Sequence, residues 1–261
     1  GYSESLHNIA INDNFLVIAT NGSGSNSSGS SSYAGRLNFF KNDGNDNFSK
    51  LNQILHGSDL PNGAFIGYGG LMILDDNLVL ARTFTGIDTF KYDSNSNLYV
   101  HQQKINATEP GSLSLPQRGW TIFDNQGMVD DQYLCCDTYY YYDSANNSNI
   151  NRHEIYEYNP STQNFSFYAL LPDTTIQDAQ TRYMKANREY IYLYNNQTSS
   201  SWAYDITYQL DKNTNNFIIV EEGNIGTHHP MHLTDDYFGI FKPAPSNGTF
   251  NSINIYQIIQ N

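Results

Sequence analysis

Apolar and polar positions alternate in short runs along this chain, and a turn that recurs five times punctuates them. Asn12-Asp13-Asn14-Phe15-Leu16, Asp75-Asp76-Asn77-Leu78-Val79, Asp130-Asp131-Gln132-Tyr133-Leu134, Asn187-Arg188-Glu189-Tyr190-Ile191 and Asp235-Asp236-Tyr237-Phe238-Gly239 share one pattern. A short alternating apolar segment precedes each and an apolar run follows it, which predicts a tight hairpin between two strands. A second turn follows in four of the units. Phe40-Lys41-Asn42-Asp43 leads to Phe48, Phe90-Lys91-Tyr92-Asp93 to Leu98, Tyr156-Glu157-Tyr158-Asn159 to Phe165, and Tyr208-Gln209-Leu210-Asp211 to Phe217. An aromatic residue, then Asn or Asp, then a polar loop, is again a hairpin signal. Each unit therefore reads as a four-stranded antiparallel meander, with strands A to D.

The first turns, at 12, 75, 130, 187 and 235, lie 48 to 63 residues apart. That is near the period of propeller blades, and a lone four-stranded sheet cannot bury both of its faces. The expected fold is all-β, a single five-bladed β-propeller domain over residues 1–261. Four polar stretches are expected to be B–C loops: Thr20 to Tyr33, Asp137 to Asn151, Asn195 to Tyr204 and Pro243 to Ser252. The last blade lacks its own outer strand, since the chain ends at Asn261 where the second turn should form. Its strand C carries Ile253, Ile255, Ile258 and Ile259 without Lys or Pro, an edge to be covered by the N-terminal residues, by a continuation of the chain or by strand addition from a neighbouring molecule.

Composition adds to this picture mainly through Tyr (21) and Phe (14), which favour strands. With 26 acidic against 13 basic side chains, a formal charge of -13 repels nucleic acid and anionic lipid. No apolar run approaches membrane-spanning length. The chain begins at Gly1 without a Met, so a processed, excised or otherwise incomplete product is expected. Asn-X-Ser/Thr triplets occur at Asn21, Asn26, Asn47, Asn106, Asn146, Asn164, Asn196 and Asn247. All eight fall in segments read as turns or loops, where an N-linked glycan could be attached, and this places the chain outside the cell or on its surface.

Two segments carry a family resemblance. Gly63-Ala64-Phe65-Ile66-Gly67-Tyr68-Gly69-Gly70, followed by Leu71 to Arg82, resembles the entry into a blade of FG-GAP and integrin-alpha-like propellers. Gly35-Arg36-Leu37-Asn38-Phe39-Phe40 resembles that family's third strand. The resemblance implies an extracellular adhesion or scaffold role and carries over no individual binding residue; that family usually has seven blades, against five units here.

Candidate chemistry is weighed against this repeat plan. The doubled acids Asp75/Asp76, Asp130/Asp131 and Asp235/Asp236 recur at one turn position, which fits backbone turns better than paired catalytic carboxylates. Asn42 to Asn47 has the oxygen density of a calcium loop but coincides with the second turn and lacks a terminal Glu. In an extended strand His228 and His232 lie about 13 Å apart and His229 points to the opposite side from His232, so no metal site is expected there. Cys135 and Cys136 each fill an apolar slot of a strand. Trp120, Trp202, Tyr139 and Tyr140, with Arg118 and Arg182, fall in loops of neighbouring units and form the expected ligand-binding face. The resulting expectation is a non-catalytic extracellular glycoprotein with a structural or adhesive role and no cofactor beyond N-linked glycans. It would associate as a homo-oligomer or filament and meet glycan or extracellular protein ligands. The alternative is a carbohydrate-binding or carbohydrate-cleaving propeller that uses the aromatic face.

Overall fold

The computed structural model describes residues 4–25, 31–45, 47–55, 70–74, 77–83, 86–106, 122–143, 148–172, 183–187, 189–197, 202–223, 229–233, 237–243 and 250–257. Every regular element among them is a strand. Sheet 1 is β1 (Glu4–Ile11), β2 (Phe15–Ser25), β3 (Ser31–Asn42) and β4 (Phe48–Leu55). Sheet 2 is β5 (Leu71–Leu74), β6 (Leu78–Thr83), β7 (Gly86–Asp93) and β8 (Leu98–Asn106). Sheet 3 is β9 (Ile122–Val129), β10 (Tyr133–Asp143), β11 (Ser148–Asn159) and β12 (Asn164–Leu170). Sheet 4 is β13 (Tyr183–Ala186), β14 (Tyr190–Gln197), β15 (Trp202–Asp211) and β16 (Asn216–Gly223). A fifth sheet holds β17 (His229–Leu233), β18 (Tyr237–Pro243) and β19 (Phe250–Gln257). In all five, strands follow one another in sequence order, so each sheet is a meander.

The expected turns form by the expected chemistry, in two versions. Asn12 Oδ1 accepts the N–H groups of Asn14 and Phe15, and Asn187 Oδ1 accepts those of Glu189 and Tyr190. These are side-chain mimics of a backbone turn. Asp130 and Asp131 instead take φ of 52° each, and Gln132 N donates to Val129 O. Two left-handed central residues make the primed turn whose twist suits a hairpin. Asp75/Asp76 and Asp235/Asp236 lie outside the described residues.

Second turns repeat more closely. Asp93 accepts the Asn95 N–H and the Ser96 hydroxyl, and Asp211 accepts the Asn213 N–H and the Thr214 hydroxyl. Asn97, Gln163 and Asn215 close their turns at φ of 56°, 54° and 59°. In sheet 1 the oxygens of the calcium-like stretch serve the turn itself: Asn42 Oδ1 accepts Gly44 N and Asp43 Oδ1 accepts Asn45 N.

The B–C stretches correct the sequence expectation. β2 and β3 remain paired out to Ser25 and Ser31, β10 and β11 to Asp143 and Ser148, β14 and β15 to Gln197 and Trp202, and β18 and β19 to Pro243 and Phe250. Polar side chains do not stop a ladder, because pairing satisfies the backbone whatever the side chains are. Tyr139 and Tyr140 therefore lie within β10 and Trp202 opens β15, not loops as expected.

The chain forms two compact units, residues 1–123 with 160–164, and residues 124–159 with 165–261. In the first, Phe15, Val17, Ala19, Leu37 and Phe39 line the buried face of sheet 1 and cluster with Val79, Ala81, Phe90 and Tyr99 of sheet 2. Phe39 stacks on Tyr99 at 4.4 Å, and Phe15 meets the same ring edge-on at 5.4 Å. Each fully buried apolar side chain contributes about 1.5–3 kcal/mol. Asn52 of β4 joins the two sheets: its Nδ2 donates to Tyr99 O at 2.8 Å and its Oδ1 accepts Tyr99 N at 3.0 Å. On the opposite face of sheet 1, Leu6, Ile9 and Ile11 are exposed.

In the second unit, Val129, Tyr133, Cys135 and Ile155 of sheet 3 cluster with Ile191, Leu193, Ile206, Tyr208 and Leu210 of sheet 4. Cys135 and Cys136 are both buried. In the fifth sheet Ile253 and Ile255 sit opposite Phe241 and Gly239, while Ile258 and Ile259 lie outside the described residues.

Candidate functional site

One register position of strand C carries a polar residue in four of the five sheets, where an apolar one would suit burial. Asn38, Asp88, Glu154, Ile206 and Asn254 stand opposite Ile18, Ala81, Cys136, Leu193 and Ile240 of strand B. Asp88 and Glu154 are each 1% exposed. Burying a carboxylate costs several kcal/mol unless it is paired, so their partners matter. Glu154 Oε2 accepts the Tyr156 hydroxyl at 2.5 Å. Asp88 has two basic side chains as partners.

His101 Nε2 lies 2.8 Å from Asp88 Oδ1 and Lys104 Nζ lies 3.6 Å from Oδ2, both reaching in from β8. The histidine side chain is 38% exposed and the lysine 26%, against 2% for the aspartate. A buried acid thus has a partly exposed imidazole and a partly exposed ammonium group over it. Phe90 packs against the imidazole at 5.5 Å, nearly edge-on. Among the described residues Asp88 Oδ2 has no hydrogen bond, so only the charge of Lys104 compensates it.

A bulge makes this convergence happen. Thr89 pairs with Gln103, but Phe90 pairs with His101, leaving Gln102 as the extra residue. In an unbroken ladder Phe90 would oppose Gln102, and His101 would share the face of Gln103 and Thr89. The bulge brings it onto the face of Asp88 and Phe90. Thr89 Oγ1 holds the ladder beside the bulge by accepting Gln103 N at 3.1 Å. The Gln102 amide donates to Thr162 O, Gln163 O and Asn164 Oδ1, at 2.9, 3.0 and 3.0 Å, which anchors the extra residue.

The residues singled out in the sequence do not assemble into a site among the described residues. Arg118, Trp120 and Arg182 lie outside them, and Tyr139, Tyr140 and Trp202 are strand residues. Of the glycan acceptors, Asn47 and Asn164 are exposed next to second turns. Asn21, Asn106 and Asn196 sit in β2, β8 and β14, and Asn164 opens β12, which corrects the expectation that all eight lie in turns or loops. Asn26, Asn146 and Asn247 lie outside the described residues. Sequence reasoning missed Asp88. The available signal was an acid inside the run Gly86-Ile87-Asp88-Thr89-Phe90, where burial is expected on both faces.

No protein-family profile matches the chain, and no curated protein matches its sequence. Solved structures do resemble it in fold. Acylaminoacyl peptidase of Pyrococcus horikoshii is 8% identical with a TM-score of 0.51, the match covering 98% of this chain and 38% of that one. The β-propeller domain of the Trilobed protease from Pyrococcus furiosus is 7% identical with a TM-score of 0.49, covering 98% and 69%. A protein from Lactobacillus plantarum is 10% identical with a TM-score of 0.47; 84% of this chain matches 55% of that one. This chain therefore spans little more than half of that protein's length. The likeness supports a β-propeller fold, without supporting the integrin-alpha-like kind. It also corrects the expectation of a non-catalytic structural protein, since the acylaminoacyl peptidase that the chain resembles is by its name an enzyme.

Proposed function

We propose that this chain is a five-bladed β-propeller of a hydrolytic enzyme. The observation that carries the reading is the fold likeness to acylaminoacyl peptidase, which extends over 98% of this chain. Five meanders of propeller type support the blade number. A radial ring gives every sheet a neighbour on both faces, which is what the apolar second face of sheet 1 calls for. The polar C-strand position, with its paired acid Asp88, supplies a chemical group of the kind hydrolysis uses.

The test is turnover by the purified chain. Chromogenic acyl esters, peptide anilides and glycosides are incubated with it at micromolar concentration. Hydrolysis of at least one class above the buffer rate is expected. Silence across all three classes would overturn the reading.

A further inference from the structure

We infer that His101 is a proton acceptor for hydrolysis of an ester or amide, held in place by Asp88. The inference rests on the hydrolase reading above and assigns that activity a residue.

Three features of sheet 2 lead there. First, Asp88 is buried and accepts from His101 Nε2 at 2.8 Å, so the hydrogen of a neutral ring sits on Nε2 and the lone pair on Nδ1. Nδ1 has no partner among the described residues, and the ring is the most exposed member of the cluster at 38%. Second, the ring is fixed on two sides, by the carboxylate and by the edge of Phe90 at 5.5 Å. Third, the bulge that turns His101 toward Asp88 is anchored by three hydrogen bonds from Gln102. Bulges of this kind re-aim side chains and concentrate beside active sites.

The step balances as a proton transfer. Water on the solvent side of the ring gives a proton to Nδ1 as its oxygen bonds to the acyl carbon. The imidazolium so formed is stabilised by the Asp88 carboxylate. Collapse of the adduct breaks the bond to the leaving alcohol or amine, which takes the proton back from Nδ1. Asp88 acts here as a positioning residue and His101 as the catalytic one.

Two measurements on the full chain test this. In nitrogen-15 spectra of the histidine rings, His101 is expected with its hydrogen on Nε2, and that preference is expected to weaken in Asp88→Ala. In the turnover assay, His101→Gln is expected to lose about 10²- to 10⁴-fold in rate, with the fold checked by its urea midpoint. A ring carrying its hydrogen on Nδ1 overturns the inference, even if Asp88→Ala fails to fold. Hydrolysis that survives His101→Gln overturns it while leaving the hydrolase reading intact. The expected tautomer without any turnover by the unaltered chain overturns both.

Discussion

Tyr99 shows how single side chains in this protein combine a gain and a cost. Its ring joins Phe39 and Phe15 in the core of the first unit, but its hydroxyl is buried without a hydrogen-bond partner among the described residues. Burial, with a smaller contribution from Tyr92, pushes the phenol well above its ordinary range. An unsatisfied buried polar group costs about 1–3 kcal/mol. Tyr99→Phe is therefore expected to leave urea stability unchanged or raised, whereas Tyr99→Ala should lose about 3–5 kcal/mol as the ring stack disappears. A loss of more than about 1 kcal/mol in Tyr99→Phe would mean that the hydroxyl is satisfied after all. The turn acids work in the opposite sense. Asp93 is held below its ordinary value of 3.8 chiefly by the Ser96 hydroxyl and then the Asn95 N–H, and Asp211 by the Thr214 hydroxyl and then the Asn213 N–H. A lowered folded-state value stabilises the fold above the unfolded value, and this is lost as pH falls through the folded value. The stability gap between the unaltered chain and Asp93→Asn should therefore narrow on going from about pH 5 to about pH 3. Equal gaps in urea melts at the two pH values would contradict it.

Elements were legible where local chemistry writes them. Asn12 and Asn187 announce their turns because an Asn carbonyl can take the place of a backbone carbonyl, and the left-handed Asn97 and Asn215 mark the second turns in the same way. The B–C hairpins were not legible, because their pairing is inherited from the register of the strands below and owes nothing to apolar side chains. The Asp88 cluster was hidden for a related reason: it depends on a bulge, and nothing in the local sequence around Gln102 declares one. Contact between sheets is equally invisible in the sequence. Asn52 is one polar residue in a strand, yet its amide occupies both the N–H and the C=O of Tyr99. Asn52→Ala leaves both groups without that partner and is expected to cost about 1–3 kcal/mol in urea unfolding. Asn52→Asp should keep the acceptor and lose the donor, giving an intermediate loss. If neither variant moves the midpoint, the clamp contributes nothing.

For the whole molecule, repetition means that equivalent sites solve one problem separately. Asp93 and Asp211 belong to different units and share no hydrogen-bond partner. Sites without shared partners contribute additively. The change in acid response of an Asp93→Asn/Asp211→Asn double variant should thus equal the sum of the two single changes. A response well beyond the sum would show that the two turns are coupled. Function need not follow the repeat in the same way. The position that holds Asp88 holds Asn38, Glu154, Ile206 and Asn254 elsewhere, and it is at Asp88 that a histidine and a lysine converge on the acid.

The extra residue in β8 acts as a half-period phase slip. His101 and Lys104 are three positions apart, an odd interval that an uninterrupted strand would place back to back. Counting parity along this sequence would never group them. With the slip, the imidazole and the ammonium group each address one oxygen of the same acid.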